Sequence, residues 1–172
     1  MSEDGSKLWP VAVLADEHRR VELDIPVGQL ARLAPMLAGS EGTVQGSVAL
    51  THEQGRVVAD VAVSARLTLR CQRCLGPMQV SAEGGSRVAL LESEADADQV
   101  PPEFETALAP GGRLRLADLV EEELLLALPA APMHPAGQCP AAAVQGADEL
   151  VQADVQRPFA NLGELLAGRS KN

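Results

Sequence analysis

The feature that most restricts the fold is the run over residues 57–71. Val57, Ala59, Val61, Val63, Ala65, Leu67, Leu69 and Cys71 are apolar, and Asp60, Ser64, Arg66, Thr68 and Arg70 lie between them. Only Val58 and Ala62 break the alternation. A period of two places one side chain set against a core and the other in water, which is the pattern of a half-buried strand. The run is long for one strand, so a bend or a bulge is expected within it. Upstream, Val44, Gly46, Val48 and Leu50 alternate too, and residues 51–55 read as a hairpin loop. Downstream, residues 78–83 and 87–91 read as two further strands around Gly84-Gly85, and residues 104–108 as a short edge strand. Consecutive strands with short connections pair as an antiparallel meander.

The helical period appears later. Leu116, Leu119, Val120, Glu123, Leu124, Ala127 and Leu128 share one face at i, i+3, i+4 spacing. Glu121, Glu122 and Glu123 sit near the beginning, where the helix dipole favours acids, and Pro129 ends the element. Residues 22–37 are ambiguous, because Pro26 and Pro35 interrupt a helix-like stretch over 29–33. The expected class is α+β: an antiparallel β-meander of four to five strands with helices packed on one side. The expected organisation is an N-terminal tail or first strand (1–20), an α+β domain (21–128), an irregular Pro/Ala-rich segment (129–157), and a short C-terminal helix and tail (158–172). Phe159, Leu162, Leu165 and Leu166 form one side of that last helix, with Pro158 in its first turn. The acidic stretch 92–103 reads as a solvated loop.

Composition excludes several functions. Aromatics are 2% of the chain, with one Trp, two Phe and no Tyr. Stacking platforms for single-stranded nucleic acid need rows of such rings. The net charge is -10, which excludes a whole-surface basic footprint for duplex binding. Charge is uneven, however. Residues 56–87 hold five arginines against Asp60 and Glu83, while residues 92–123 hold ten acids against Arg113 and Arg115. The bland reading is a solvated surface. The sharper one is an acidic face for a basic protein, with Glu121, Glu122 and Glu123 as candidate contacts, and a local basic patch whose Arg66, Arg70 and Arg73 are candidate RNA contacts. No apolar run approaches the ~20 residues that cross a bilayer, and the N-terminal residues lack a leader-like run. A cytoplasmic protein without membrane association is expected.

Cys71-Gln-Arg-Cys74 is the most specific local motif. A C-x-x-C turn lets two thiolates converge on one tetrahedral metal ion, and Gly76 follows at the place where a zinc knuckle turns tightly. His134 and Cys139, spaced H-x4-C, would complete a Cys3His site for zinc. The competing reading makes Cys71 and Cys74 reduced structural thiols and His134 a loop histidine. A thioredoxin-like dithiol fits poorly, because the motif lies between strands rather than at the start of a helix. No phosphate-binding loop, dinucleotide fingerprint, nucleophile elbow or H-E-x-x-H motif is present in the sequence.

Three blocks of sequence then point to a family. They are Cys71-Gln-Arg-Cys74-Leu-Gly-Pro after the long strand; Glu121-Glu-Glu-Leu-Leu-Leu-Ala-Leu-Pro129 followed by Pro132-Met-His134 and Cys139; and Arg157-Pro-Phe-Ala-Asn-Leu162 with Leu165-Leu166. In this order the chain resembles the YceD family, the large ribosomal RNA subunit accumulation proteins, over roughly residues 20–168. Some members carry two cysteines after the helix where this chain has His134 and Cys139. The resemblance implies a ribosome-biogenesis factor supporting synthesis, processing or stability of 23S rRNA of the large subunit. A net-acidic chain with that role is expected to bind a basic ribosomal protein or an rRNA-maturation factor, with weak direct rRNA contact, and not to be an enzyme. Two other readings stay open: an RNA-processing enzyme whose active site assembles from distant residues, and a zinc-stabilised protein-interaction module.

Overall fold

The structure, a computed structural model, describes residues 7–139. They belong to one compact unit, Met1–Cys139. The helix expected over 158–166 and the irregular segment beyond residue 139 lie outside the described residues.

The elements follow in chain order. Strand β1 (Leu8–Pro10) leads directly into helix α1 (Val11–Asp16). Strands β2 (Arg20–Pro26), β3 (Thr43–Glu53), β4 (Arg56–Arg70) and β5 (Pro77–Leu91) come next, then β6 (Glu105–Leu108), β7 (Arg113–Arg115) and helix α2 (Leu116–Ala127). The main sheet has the order β2-β3-β4-β5-β6. Its first four strands form the expected antiparallel meander, and β6 joins the edge in parallel with β5. A separate two-stranded ribbon pairs β1 with β7 in antiparallel fashion, so α1 and α2 leave it from opposite ends.

Alternation decides which face of the sheet is buried. Val21, Leu23, Ile25, Val44, Val48, Leu50, Ala59, Val61, Val63, Leu67 and Leu69 point into the core under α1 and α2. The opposite face carries Glu22, Gln45, Ala62, Arg66, Arg70, Ser81 and Glu83, all exposed. With so few rings available, the interior is a Val/Leu lattice to which Trp9 contributes the largest side chain.

Three local expectations change. First, no bulge interrupts β4. Its ladder with β5 runs from Val57–Leu90 to Arg70–Pro77 without an inserted residue, because β5 matches its full length of 15 residues. Second, Gly84-Gly85 does not divide β5 into two strands. A Cβ at Gly84 would lie 2.8 Å from the Glu123 Oε1 and 3.0 Å from the Ala127 Cβ. Glycine is there to let α2 approach, not to turn the chain. Third, the β3–β4 loop is tighter than residues 51–55. Glu53 pairs with Arg56, leaving Gln54 (φ 48°) and Gly55 (φ 77°) as a two-residue turn with both φ positive. The ambiguous stretch 22–37 resolves into β2 and two single turns of 3-10 helix (Val27–Gln29 and Ala34–Met36), with Val27, Leu30 and Leu33 buried. Residues 92–103 remain a surface segment holding one short 3-10 helix, Glu94–Gln99.

Helix α2 spans the predicted residues and buries Leu116, Leu119, Val120 and Leu124. It crosses the sheet over two glycines. A Cβ at Gly46 on β3 would meet the Val120 side chain at 2.6 Å, matching the contact of Gly84 with the next turns of the helix. Gly46→Ala is therefore expected to destabilise the domain by about 1–3 kcal/mol through overpacking. A lowered urea midpoint with unchanged slope checks this, and an unaltered midpoint would contradict the packing described.

Candidate metal centre and charged ends

Strand β4 delivers Cys71 on its buried face, just past Arg70. The chain then turns tightly. The Cys71 N–H donates to the Gly76 carbonyl (2.9 Å), and the Leu75 N–H donates to the Cys71 carbonyl (2.9 Å). Leu75 takes a left-handed conformation, φ 59°. This closed turn points the Arg73 N–H at the Cys71 sulfur, 3.4 Å away. The predicted knuckle is therefore a real backbone feature, with sulfur replacing a carbonyl as acceptor.

The segment after α2 returns to meet it. The Gln72 N–H donates to the Pro132 carbonyl (2.8 Å), which docks residues 129–139 on the knuckle. The His134 N–H then points at the Cys71 sulfur (3.4 Å). The imidazole Nε2 lies 3.1 Å from the Pro77 carbonyl, which only accepts, so Nε2 carries the proton. Nδ1 is left with its lone pair facing the Cys74 sulfur at 3.4 Å and the Cys139 sulfur at 3.8 Å. A backbone carbonyl fixing the tautomer from outside is the usual support of a metal-binding imidazole. The Cys71 and Cys139 sulfurs are 3.9 Å apart.

All four donor atoms lie within 4.8 Å of one another. Two sulfurs bound at about 2.3 Å to one tetrahedral ion are separated by about 3.8 Å, and a sulfur and a nitrogen by somewhat less. The spacings of 3.9, 3.4 and 3.8 Å fit that polyhedron, and the remaining pairs lie within 4.8 Å. The four residues named from the sequence are thus brought together, and the donor set suits a soft or borderline divalent cation. All three cysteines are free thiols. They are not equivalent. Burial pushes the Cys71 thiol up, but N–H groups from Cys74, His134 and Arg73 outweigh it and bring it down to about 5. Burial and the neighbouring sulfurs push Cys139 up.

The other candidate residues are dispersed. Arg66 and Arg70 stand exposed on the outer face of β4, with no ion pair among the described residues. Arg66 borders an open depression with Thr43, Gln45, Ser64, Ser81 and Glu83. Arg73 belongs to the knuckle, its guanidinium 4.0 Å from the Cys139 sulfur and 3.9 Å from the Met133 sulfur. The three acids of α2 have separate surroundings. Glu121 is buried, and its Oε1 accepts the backbone N–H groups of Arg32 (2.8 Å) and Leu33 (3.2 Å). Glu122 is exposed and pairs with the Arg32 guanidinium, whose pKa it raises. Glu123 is buried against Gly84. Nothing in the sequence distinguishes these neighbours, since the distinction comes from which loop lies over each. Glu92, Glu94, Asp96, Asp98 and Glu103 are exposed in the segment after the Leu91 end of β5, and the exposed Glu105 lies on β6 opposite Val88. Arg66, Arg70 and Arg73 lie toward the other end of the same ladder, while Arg56 and Arg87 stay at the acidic end. Over 15 residues at ~3.3 Å each, β4 separates its two ends by nearly 50 Å.

The family model for large ribosomal RNA subunit accumulation protein YceD matches residues 59–166. A Haemophilus influenzae protein of the same description is 29% identical over 159 residues, covering 88% of this chain and 91% of its own. No solved structure matches.

The Cys71 shift sets a pH dependence. Its folded value of about 5 lies below the ordinary thiol value of 9.0, so the unfolded chain holds this proton more tightly. The stabilisation is complete above the ordinary value, shrinks as pH falls toward about 5, and is absent below it. Cys139 runs the opposite way: its contribution fades as pH rises through its raised value. In metal-free protein, the stability lost on Cys71→Ser should therefore grow with pH across that window. Denaturant melts of both proteins at several pH values measure it, and a pH-independent difference would refute the thiolate.

Proposed function

The chain belongs to the YceD family, and on that premise we propose that it is a non-enzymatic ribosome-biogenesis factor supporting accumulation of the 23S rRNA of the large subunit. Family membership carries this reading. The separation of charge supports a mode of action. The acidic end around residues 92–105 suits a basic ribosomal protein or an rRNA-maturation protein, with Glu122, on α2 and paired with Arg32, as a separate contact. Arg66, Arg70 and Arg73 at the other end suit phosphate contacts, which a net charge of -10 keeps weak and salt-dependent. Glu121 and Glu123 serve a partner only indirectly, by holding the helix that displays Glu122. No helix of the described residues is long and apolar enough to cross a membrane, and we place the work of the protein in the cytoplasm with the ribosome.

Cys71, Cys74, His134 and Cys139 would hold a zinc ion in this reading. A set of four protein donors leaves no open position, so the bound ion supplies cross-linking rather than chemistry. It joins the knuckle to the segment that follows α2. Among the described residues this is the one group of three or more His, Cys, Asp or Glu side chains with metal-binding spacing.

Loss of the protein is expected to lower mature large-subunit rRNA relative to small-subunit rRNA, and quantification of both in a deletion strain tests this. An unchanged ratio under several growth conditions would sink the proposal. Purified protein should hold about one zinc per chain, and chelation should lower its melting temperature. A metal content near zero, with stability indifferent to chelator, would remove zinc from the account while leaving the ribosomal role standing.

A further inference from the structure

Resting on the zinc reading above, we propose that the cluster is an oxidative modification site: a hydroperoxide joins Cys139 to Cys71 as a disulfide, and the metal is released. The three thiols of the chain all lie in this one cluster. They differ in how their sulfurs are covered. Cys71 is fully buried and its sulfur faces the N–H groups of Arg73 and His134. Such donors draw charge from a thiolate and lower its nucleophilicity. The Cys139 sulfur faces no backbone donor among the described residues, and it is partly exposed. The Arg73 guanidinium beside it, 4.0 Å away, offers a cation to a departing oxygen. Cys74 is also partly exposed, but only Cys139 has that guanidinium beside it, so Cys139 is where an oxidant reacts first.

The chemistry balances with the peroxide as the sole oxidant. The Cys139 sulfur attacks one peroxide oxygen, the O–O bond breaks, and a sulfenic acid forms while the other oxygen leaves and takes a proton as an alcohol or water. The Cys71 sulfur, 3.9 Å away, then attacks the Cys139 sulfur. The S–S bond forms, the S–O bond breaks, and the hydroxide leaves as water after taking a second proton. Two thiolates lose two electrons, and one peroxide gains them.

The geometry lets this happen without unfolding the sheet. The sulfurs must close from 3.9 Å to about 2.05 Å. Cys71 is fixed at the end of β4, so Cys139 must move. Gly137, two residues before it, has φ 78° and open space where a Cβ would stand. That glycine is a hinge for the required shift. Because the new bond connects the same two segments as the metal, the 129–139 segment stays tied to the knuckle.

The test uses the full chain loaded with zinc and treated with hydrogen peroxide. A chromogenic chelator reads free zinc, intact mass reads the loss of two hydrogens, and peptide mapping reads the bond. The expected result is stoichiometric zinc release, a Cys71–Cys139 cross-link reversed by a thiol reductant, and an unchanged far-ultraviolet circular dichroism spectrum. Cys74→Ser should retain the cross-link and Cys139→Ser should lose it. Retained zinc, oxidation only to sulfinic or sulfonic acids, or a bond between Cys71 and Cys74 would each overturn the proposal. If the purified chain takes up no zinc, the metal reading fails, and mapping of the peroxide-treated metal-free chain still decides whether Cys71 and Cys139 pair.

Discussion

The meeting of Cys71 and Cys74 with His134 and Cys139 depends on how closely α2 lies on the sheet. Gly46 and Gly84, on strands flanking β4, remove the two side chains that would hold the helix away. Val120 enters the first gap, while Glu123 and Ala127 fill the second. The axis of α2 is thereby set across three strands, and so is the point at which Pro129 releases the chain. From there the Pro132 carbonyl reaches the Gln72 N–H, and His134 and Cys139 reach the knuckle. A helix raised by the thickness of one methyl group would carry these donors away from Cys71 and Cys74. The packing of two glycines thus governs a site at the far end of the ladder.

Glu121 shows how the same helix organises the irregular stretch that follows β2. A buried carboxylate is costly unless its charge is met by hydrogen bonds. Here the carboxylate is met by two successive backbone N–H groups, from Arg32 and Leu33, while Arg32 turns its side chain to Glu122. The exchange is mutual. The loop gains an acceptor for donors that no strand partner serves, and the helix gains a partner for an acid it could not otherwise bury.

The strands, the long helix and the four clustered ligands were legible in the sequence because each has a local signal. Two-residue alternation marks β3 and β4, a 3.6-residue apolar repeat marks α2, and C-x-x-C with a later His and Cys marks the cluster. Of the shortest elements only β6, expected over 104–108, was legible. β1 and β7 are too short to show a period, and they form because each strand completes the other. β2 does alternate, with Val21, Leu23 and Ile25 inward, but Pro26 at its end and Pro35 downstream concealed it. Gly84-Gly85 misled because glycine signals both a turn and a close approach, and only the position of α2 separates the two meanings. The acids 121–123 misled for a similar reason: a run of like residues reads as one surface, whereas the helix sends them to three environments.

The division of the metal-ligand set between residues 71–74 and 134–139 has a bearing on the order in which the molecule is made. A chain emerging from its own synthesis presents Cys71 and Cys74 long before the other two donors exist. Two thiolates alone grip a cation weakly and let it exchange. Tight capture of an ion would wait until α2 has been synthesised, has settled on its glycines and has brought the last donors round. On the zinc reading, metal retention would be a chemical signature of a finished domain, gained in a single late step and not by partly folded chains.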